Sequence, residues 1–465
     1  MAGDSRAIAF RILTAGQHPK TTLDRAVDQA EAELAELSRQ DRNLTHAIIF
    51  GVLRHRGHLD HLIRVFSRIP MDRLDAKVLT ILRMGIFQIV FLDRVPDFAA
   101  IHTTIELAKT QVNKKSRGFI NAVLRQAAKG HDTVASPDRK QFGAWLQVRY
   151  SIPSWLGKRW AAAYGKADAE AIAAAALDIP PVTLRVNSMK TCRKNVADAL
   201  AAEGLEPQLT DISPLGIHLS GTGRSPADLP GFTEGHFQVQ DEAAQLVVQA
   251  LAPEPGERVL DACAGLGGKT CHIGQLMGNS GTVTAVDVDA RKLGRLEAEA
   301  GRLGLSNINT CAVDMIKADV NTFDGYFDRV LVDAPCTGLG VLRRNPDTRW
   351  KRTAKDIQRM AAQQKKILNA AANLVAPGGT LVFAVCSCEP EENEAVVLNF
   401  LEKRKDYEGD AAGFRAALPE FVAQLGPDAE KDIFQAKTYP CHTGMDGFFL
   451  ARLKRKMRKT ARAQK

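Results

Sequence analysis

Two cysteines of the sequence stand where covalent chemistry can be done. Cys336 lies in the stretch VDAPCTG at 332–338, and Cys386 lies in VFAVCS at 382–387. Each follows an apolar run typical of a buried parallel strand and precedes a loop, at the end of the strand where open α/β sheets bind their ligands. One such cysteine is most often a small buried hydrophobe. Two of them on one sheet favour a reaction that needs two thiols.

A glycine-rich loop upstream predicts a nucleoside cofactor. The strand-like run RVLDA (258–262) precedes CAGLGGKT (263–270), and the next strand-like run ends at Asp287. Glycines let the backbone approach a ligand at a helix N-terminus, and an acid roughly 20 residues later can accept hydrogen bonds from ribose hydroxyls. The spacing differs from G-x-G-x-x-G, which favours S-adenosylmethionine (SAM) over NAD. Asp314 is expected either at the adenine end or as a loop cap. The cofactor contacts predicted are Cys263, Ala264, Gly265, Leu266, Gly267, Gly268, Lys269, Asp287, Asp314 and Asp333.

These groups together fit methylation of cytosine at C5. That carbon is a poor nucleophile until a thiolate adds at C6 and turns the ring into an enamine, which can attack a sulfonium methyl group. A carboxyl near N3, a role available to Asp333, stabilises the adduct. The C5 proton and the thiolate must then leave, so a second group assists. Arg343 and Arg344, next along the chain, are candidates for holding phosphates.

The remaining cysteines and the composition predict a cytoplasmic protein with no metal site. Cys386-x-Cys388 is too closely spaced for a zinc pair and lacks a partner pair. Eight cysteines without small-scaffold spacing are typical of reduced thiols, the N-terminus lacks a signal-peptide pattern, and no apolar stretch approaches a membrane span. Packing is the expected role of Cys192, Cys271, Cys311, Cys441 and, for the most part, Cys388.

The charge distribution favours a polyanionic partner. The net charge is +9, and residues 452–465 carry eight Lys or Arg and no acid. Such a tail is either a solvated end or a phosphate contact. A second basic group flanks a helical pattern near 119–128 and is either an ordinary polar helix face or a nucleic-acid contact. Its members are Lys109, Lys114, Lys115, Arg117, Arg125 and Lys129.

The elements that must position these residues follow from periodicity. Residues 1–130 have helical patterns and almost no strand signal, with amphipathic runs from Asp41 to Leu53 and from Leu79 to Ile89. An alanine-rich helix follows at about 155–176. Short alternating runs from 182 predict a small α/β insert. From about Ala243 onward, strand, glycine loop and helix recur, which indicates a doubly wound, mostly parallel sheet.

At these motifs the chain resembles the RsmB/Sun (Fmu) family of bacterial 16S ribosomal RNA (cytosine-5) methyltransferases, within the wider Nop/Sun group. The resemblance covers nearly the whole length. It includes FGVLR at 50–54 and GFINAVLR at 118–125, which are similar to a NusB-like RNA-binding domain. It also includes Arg185, Asn187, Gln240 and Asp241 around the insert, RRNPD at 343–347 and DGFF at 446–449. In two places the sequence departs from the family: Gly265-Leu266 replaces Ala-Pro, and Val385 replaces Thr.

The resemblance implies roles and boundaries. Cys386 matches the nucleophile and Cys336 matches the cysteine that assists release, with Asp333 contacting the base. The fold implied is a class I SAM-dependent methyltransferase behind a small α/β insert and an all-α NusB-like domain. The predicted segments are 1–135 (NusB-like), 136–178 (helical linker), 179–240 (ferredoxin- or RRM-like insert), 241–453 (catalytic domain) and 454–465 (basic tail).

The implied substrate is free or early-assembly 16S rRNA, bound by a monomer. Another RNA as substrate and a non-catalytic RNA-binding or antitermination factor are the alternatives. The retained Asp333, Cys336 and Cys386 argue against the non-catalytic factor. DNA cytosine-5 methyltransferases lack a second strand-end cysteine, and amino-methyltransferases carry a different motif at 333–336.

Overall fold

The computed structural model describes residues 4–18, 21–425 and 433–457. The chain forms two compact units: Met1–Ile179 with Leu342–Arg352, and Pro180–Val341 with Thr353–Lys465. The predicted architecture, a helical N-terminal part before a mostly parallel α/β sheet with a small insert, is confirmed. In the described ranges, no helix is long and apolar enough to cross a membrane.

The first unit is helical, as the periodicity predicts. Several of its helices begin at polar caps: Ser38 accepts a hydrogen bond from the backbone of Asp41, and Asp75 caps the apolar helix whose residues fill the core. Pro96 directly precedes the next helix, which begins at Asp97. The helices are α1 (Ser5–Ala15), α2 (Leu23–Asp28), α3 (Glu31–Glu36), α4 (Arg39–Arg54), α5 (Arg56–Phe66), α6 (Ala76–Phe91), α7 (Asp97–Gln111), α8 (Lys114–Gly130), α9 (Phe142–Tyr150) and α10 (Ser154–Ala175), with one-turn 3-10 helices at Met71–Arg73 and His131–Thr133.

Residues 342–352 belong to this helical unit. The buried guanidinium of Arg349 donates to the carbonyl oxygens of Ala176 and Leu342, each at 2.9 Å. Arg54 donates to the carbonyl oxygen of Arg343, whose own side chain is buried. The phosphate contact predicted for Arg343 therefore does not fit the structure, because a buried side chain is not presented to a backbone phosphate.

The second unit begins with a small antiparallel sheet of order β2-β3-β1-β4. Its apolar face packs on the adjoining helix through residues such as Leu184, Val196 and Phe237. The elements are β1 (Val182–Val186), α11 (Arg193–Ala202), β2 (Pro207–Leu209), β3 (Gly216–Leu219), a 3-10 turn (Pro226–Asp228) and β4 (Phe237–Val239).

A larger sheet of order β10-β12-β9-β8-β5-β6-β7 follows, with β11 paired to β12. Strands β9, β8, β5, β6 and β7 are parallel, and β12 runs antiparallel to β9. The strands are β5 (Arg258–Asp261), β6 (Thr282–Asp287), β7 (Ile308–Ala312), β8 (Phe327–Asp333), β9 (Val375–Val385), β10 (Tyr407–Gly409), β11 (Gln435–Lys437) and β12 (Phe449–Arg455). The helices are α12 (Glu242–Leu251), α13 (Gly268–Leu276), α14 (Ala290–Leu303), α15 (Thr348–Lys351), α16 (Ala354–Ala372), α17 (Glu394–Lys403), α18 (Ala411–Ala417), α19 (Pro419–Gln424) and α20 (Pro440–Thr443), of which α15 lies in the first unit's 342–352 segment.

The chain order of these strands creates a crevice. It proceeds β5, β6, β7 toward one edge and then returns to β8 and β9 on the other side of β5. Neighbouring loops diverge at such a switch point and leave room for a ligand beyond the carboxyl ends of the strands. This is the edge on which the sequence places its candidate residues.

A buried arginine joins the small sheet to the large one. Arg185 on β1 donates to Gln238 at 2.7 Å, to Gln275 on α13 at 3.1 Å and to the carbonyl oxygen of Gly268 at 2.8 Å. Asn187 donates to the carbonyl oxygen of Leu303 at 2.9 Å. Arg185 and Asn187, which resemble a family signature, therefore link parts of this unit to one another.

The first residues of the basic tail are part of β12. Arg452 is buried and forms an ion pair with Asp410 at 2.7 Å, and Arg455 lies 3.6 Å from Asp406. These arginines are occupied within the fold. The rest of the predicted tail, residues 458–465, lies outside the described residues.

Candidate active site

The two cysteines lie side by side. Strands β8 and β9 are parallel neighbours with Asp333 opposite Ala384, so the residues that follow each strand emerge together. The Sγ atoms of Cys336 and Cys386 are 3.2 Å apart. The hydrogen bond with Cys386, and then burial, raise the pKa of Cys336 well above its ordinary value. Cys336 is thus held as a thiol against the sulfur of Cys386.

A buried carboxylate links the residues that follow the two cysteines. Glu392 accepts hydrogen bonds from the backbone N–H of Thr337 at 2.8 Å and from its hydroxyl at 2.5 Å. It accepts a third from the hydroxyl of Ser387 at 2.6 Å and a fourth from Gln364 at 3.2 Å. Burial raises the pKa of Glu392, and these hydrogen bonds act in the opposite direction.

The C-terminal DGFF stretch packs against the Cys336 loop. Gly340 donates its N–H to the carbonyl oxygen of Cys386 at 3.1 Å, and Gly447 donates to the carbonyl oxygen of Gly340 at 2.9 Å. A Cβ on Gly340 would lie 1.9 Å from the oxygen of Gly447, so only glycine fits there. The loops of β8, β9 and β12 are therefore in direct backbone contact.

An ion pair lies beside the thiols. Lys269, at the start of α13, donates to Asp333 at 2.6 Å, and its ammonium lies 5.2 Å from the centre of the Phe448 ring. Burial lowers the pKa of Lys269, but the charge and hydrogen bond of Asp333 outweigh it, so the pKa lies above its ordinary value. The charge of Cys386 acts in the same direction on Lys269.

A cavity of about 270 Å³ opens beside this pair. The carboxylate of Asp287 lies on its wall, accepting hydrogen bonds from the backbone of Gly265 at 3.1 Å and of Asp289 at 2.8 Å. A Cβ on Gly265 would meet nothing within 4 Å, so the loop leaves open space there. Among the predicted cofactor contacts, the residues lining the cavity are Cys263, Gly265, Asp287, Asp314 and Asp333.

The donor set of the cavity fits a nucleoside. Acceptor oxygens of Asp287 suit ribose hydroxyls, while the exposed side chain of Val288, together with Ile316 and Ile367, supplies apolar walls for a flat base. Asp314 also caps its own loop by accepting from the backbone of Ile316 at 3.1 Å, and its place at the adenine end stays a prediction.

The other predicted loop residues are not on the cavity wall. Gly267 adopts a φ of +86° as the N-cap of α13, and a Cβ there would meet the side chain of Leu296 at 2.4 Å. Leu266 is exposed. The predicted cofactor contacts that do not line the cavity are Ala264, Leu266, Gly267, Gly268 and Lys269.

Comparison with known proteins assigns the family. The model described as 16S rRNA methyltransferase RsmB/F matches residues 248–454, the NusB family model matches 4–129, and the RsmF/B-like ferredoxin-like domain matches 152–224. The probable ribosomal RNA small subunit methyltransferase B of Bacillus subtilis (strain 168) is 38% identical, over 90% of this chain and 92% of the relative. The chain belongs to the RsmB family.

Further members and a solved structure agree. The RsmB-family ribosomal RNA small subunit methyltransferase B of Pseudomonas syringae pv. tomato is 35% identical over 96% of each chain. The crystal structure of PH0851 covers 98% of this chain and 100% of its own, with a TM-score of 0.80 at 24% identity. At that identity the structural likeness shows the fold.

Sequence reasoning did not single out two buried acids of this RsmB-family chain. Glu392 is one of four glutamates within residues 389–394, so no local signal distinguishes it from the others. Asp261 ends β5 directly before the glycine loop, and this position in the sequence could have indicated a residue of the site. Its Oδ2 accepts from Thr270 at 2.7 Å, and its Oδ1 is buried without a hydrogen-bond partner.

We predict that Asp261 makes stability depend on pH. Burial raises its pKa from 3.8 to about 6, against the hydrogen bond from Thr270. Because the folded state then binds more protons than the unfolded state between these values, the free energy of unfolding falls as pH rises through that window. The loss reaches at most about 3 kcal/mol. Urea denaturation at several pH values should show the fall in the parent chain and a flatter profile in Asp261→Asn; identical profiles would contradict the assignment.

Proposed function

We propose that this protein is a SAM-dependent RNA (cytosine-5) methyltransferase that modifies 16S rRNA. The observation that carries the proposal is the pair of thiols 3.2 Å apart at the ends of β8 and β9, beside a nucleoside-sized cavity. Transfer to most atoms needs no thiol, whereas C5 of cytosine needs one to add at C6, and a second thiol can assist release. The family relatives named for the small-subunit RNA support the substrate.

Cys386 begins the reaction in this proposal. Its thiolate adds to C6 of the target cytosine, and the ring electrons shift toward C5. Asp333, fixed by Lys269 at 2.6 Å, offers its carboxylate oxygens to the N4 amino group of the base, and to N3 once N3 carries a proton in the adduct. Cys263 and Gly265 of the glycine loop, with Asp287 and Asp314, would hold SAM, which would supply an electrophilic methyl group.

Cys336 then assists elimination. The C5 proton leaves to a base, its bonding electrons restore the C5=C6 double bond, and the bond between C6 and the Cys386 sulfur breaks. Cys336, a thiol by virtue of its raised pKa, donates a hydrogen bond to that departing sulfur. The product carries 5-methylcytosine, and Cys386 leaves as the thiolate.

The test is incubation of the full chain with SAM and 16S rRNA, followed by bisulfite mapping of the product. We expect methylation at one cytosine, and the same cytosine unmethylated in total RNA from a strain lacking the gene. Methylation of a tRNA or another rRNA under equal conditions, with none in 16S rRNA, would overturn the substrate. Transfer to a nitrogen or a ribose oxygen would overturn the reaction.

The proposal also includes the assembly stage of the RNA substrate and the oligomeric state of the enzyme. We expect a cytoplasmic monomer that acts on free or early-assembly RNA, and five segments as divided above. Native mass measurement checks the monomer. Comparison of naked 16S rRNA with assembled 30S particles checks the substrate state.

A basic groove on the helical unit supports RNA as the partner. A cavity of about 940 Å³ lies between α7 and α8, with Lys114, Arg117 and Arg125 on its wall and no carboxylate among its described lining residues. Phe98, on the same wall, is 76% exposed, which suits stacking on an unpaired base.

We predict that this groove makes RNA binding sensitive to salt. Each phosphate contact to single-stranded RNA contributes about −0.7 to the slope of log affinity against log salt. Alanine at Lys114, Arg117 and Arg125 together should therefore weaken binding and flatten the slope by about 2. Lys109→Ala is the matched control, since its ammonium pairs with Glu106 at 2.6 Å. Filter binding across salt concentrations measures both; equal slopes for the triple variant and the parent chain would remove the groove from the RNA interface.

A further inference from the structure

We propose that Glu392 is a positioning residue, whose buried carboxylate holds the Cys336 and Cys386 loops together and so sets the distance between the two thiols. The expected effect on catalysis rests on the proposed two-thiol reaction. The effect on the distance between the two sulfurs does not. Three of the four hydrogen bonds to Glu392 come from the residues directly after the cysteines, Thr337 and Ser387.

The contacts span a gap that nothing in the strands themselves closes. Thr337 follows β8 by four residues and Ser387 follows β9 by two, so both have left the ladder of hydrogen bonds that fixes the strands. Their hydroxyl oxygens lie 3.3 Å apart and converge on the same carboxylate oxygen of Glu392. The other oxygen takes the backbone of Thr337 and the side chain of Gln364.

Gln364 extends this support to the cysteine backbone. Its amide donates to the carbonyl oxygen of Pro335 at 3.0 Å as well as to Glu392 at 3.2 Å. The residues before and after Cys336 are thereby tied to one carboxylate. Thr337, Ser387, Gln364 and Glu392 are all fully buried, so water does not replace a lost partner.

Glutamine and alanine at this position separate the geometry from the charge. In Glu392→Gln the carbonyl oxygen can accept from Thr337 N–H and Gln364, while the new NH₂ donates to the two hydroxyls, which are able to accept. The support is kept without a negative charge. In Glu392→Ala the donors lose their common partner. Glu391→Ala is the matched control, one residue away and partly exposed.

The first readout is the distance between the thiols, which needs no RNA and no methyl transfer. Diamide oxidises a close thiol pair: the two S–H bonds are replaced by one S–S bond, and the reagent takes up the two protons and two electrons. Because the sulfurs start 3.2 Å apart, we expect rapid formation of the Cys336–Cys386 disulfide in the parent chain, in Glu391→Ala and in Glu392→Gln. In Glu392→Ala it should be at least about tenfold slower.

The second readout is the rate at which the enzyme methylates RNA. Glu392→Ala should lower kcat by at least about tenfold with little change in KM for RNA or in affinity for SAM, since Glu392 touches neither the groove nor the cofactor cavity. Glu392→Gln should stay within about threefold of the parent chain. If Glu392→Ala fails to fold, Ser387→Ala, which removes one hydroxyl and leaves the carboxylate, should show a smaller loss in both readouts.

Two results would overturn the proposal. One is a parent-like disulfide rate in folded Glu392→Ala, or in folded Ser387→Ala where the alanine variant of Glu392 cannot be purified. The other is Glu392→Gln as impaired as Glu392→Ala, which would assign the effect to charge. If the disulfide rates behave as expected but no variant and no parent chain methylates RNA, the proposed function fails while the positioning role stands.

Discussion

Replacing Cys386 with alanine should abolish methyl transfer, by roughly a thousandfold or more. Without the sulfur, C6 of cytosine receives no nucleophile, and C5 keeps too little electron density to take a methyl group. Cys336 should not substitute for it, because burial still raises the pKa of its thiol after the hydrogen bond with Cys386 is lost, and a thiol is not the nucleophilic form. Affinity for SAM should be unchanged, since Cys386 does not line the cavity of about 270 Å³.

The measurement is transfer of a labelled methyl group to 16S rRNA, together with a denaturing gel for protein bound covalently to RNA. Cys386→Ala should give neither product nor adduct. Cys192→Ala is the matched control, because that cysteine is exposed on the small subdomain and should leave both unchanged. Full activity in Cys386→Ala would contradict the proposed mechanism outright.

The position of the two candidate cysteines was predictable, because buried parallel strands have a local signature. The apolar runs at 330–332 and 381–385 identify β8 and the end of β9, and loops after such strands share one edge of the sheet. The glycine loop and Asp287 were predictable for the same reason. Each of these inferences uses residues that are close in sequence.

What the sequence could not predict depends on partners far apart in the chain. Whether Cys336 and Cys386 touch depends on β8 and β9 being neighbours, and the strand order is decided by packing across the whole sheet. The same holds for the ion pair of Lys269 with Asp333, which are 64 residues apart. The phosphate contact predicted for Arg343 was wrong because the burial of its side chain depends on helices more than 150 residues upstream.

Glu392 shows most clearly what could not be predicted from the sequence. It belongs to the run CEPEENE at 388–394, whose charges would ordinarily be solvated. Glu391 is partly exposed while Glu392 is fully buried, and only the turn after β9 decides which of the two faces inward. A buried carboxylate persists when donors converge on it, and those donors come from β8, β9 and α16.

Replacing Cys336 with alanine should have a different effect from replacing Cys386. The thiolate of Cys386 still adds to C6, and the methyl group is still transferred, because neither step uses Cys336. Elimination then slows, since the departing sulfur loses the hydrogen bond that the thiol 3.2 Å away provides. We expect turnover to fall by at least about a hundredfold, the range of a lost proton-handling group.

The adduct distinguishes the two cysteines. Cys336→Ala incubated with SAM and 16S rRNA should accumulate a species that migrates slowly on a denaturing gel and disappears on ribonuclease treatment, and the double variant Cys336→Ala with Cys386→Ala should not. An adduct in Cys386→Ala but not in Cys336→Ala would mean that the roles are reversed.

Because the two sulfurs are in contact, geometry alone permits either order. The surroundings of the two sulfurs differ, however: the hydrogen bond with Cys386, and then burial, raise the pKa of Cys336, while the charge of Cys386 acts to raise the pKa of Lys269. That asymmetry is the physical reason to expect attack from Cys386 and release through Cys336.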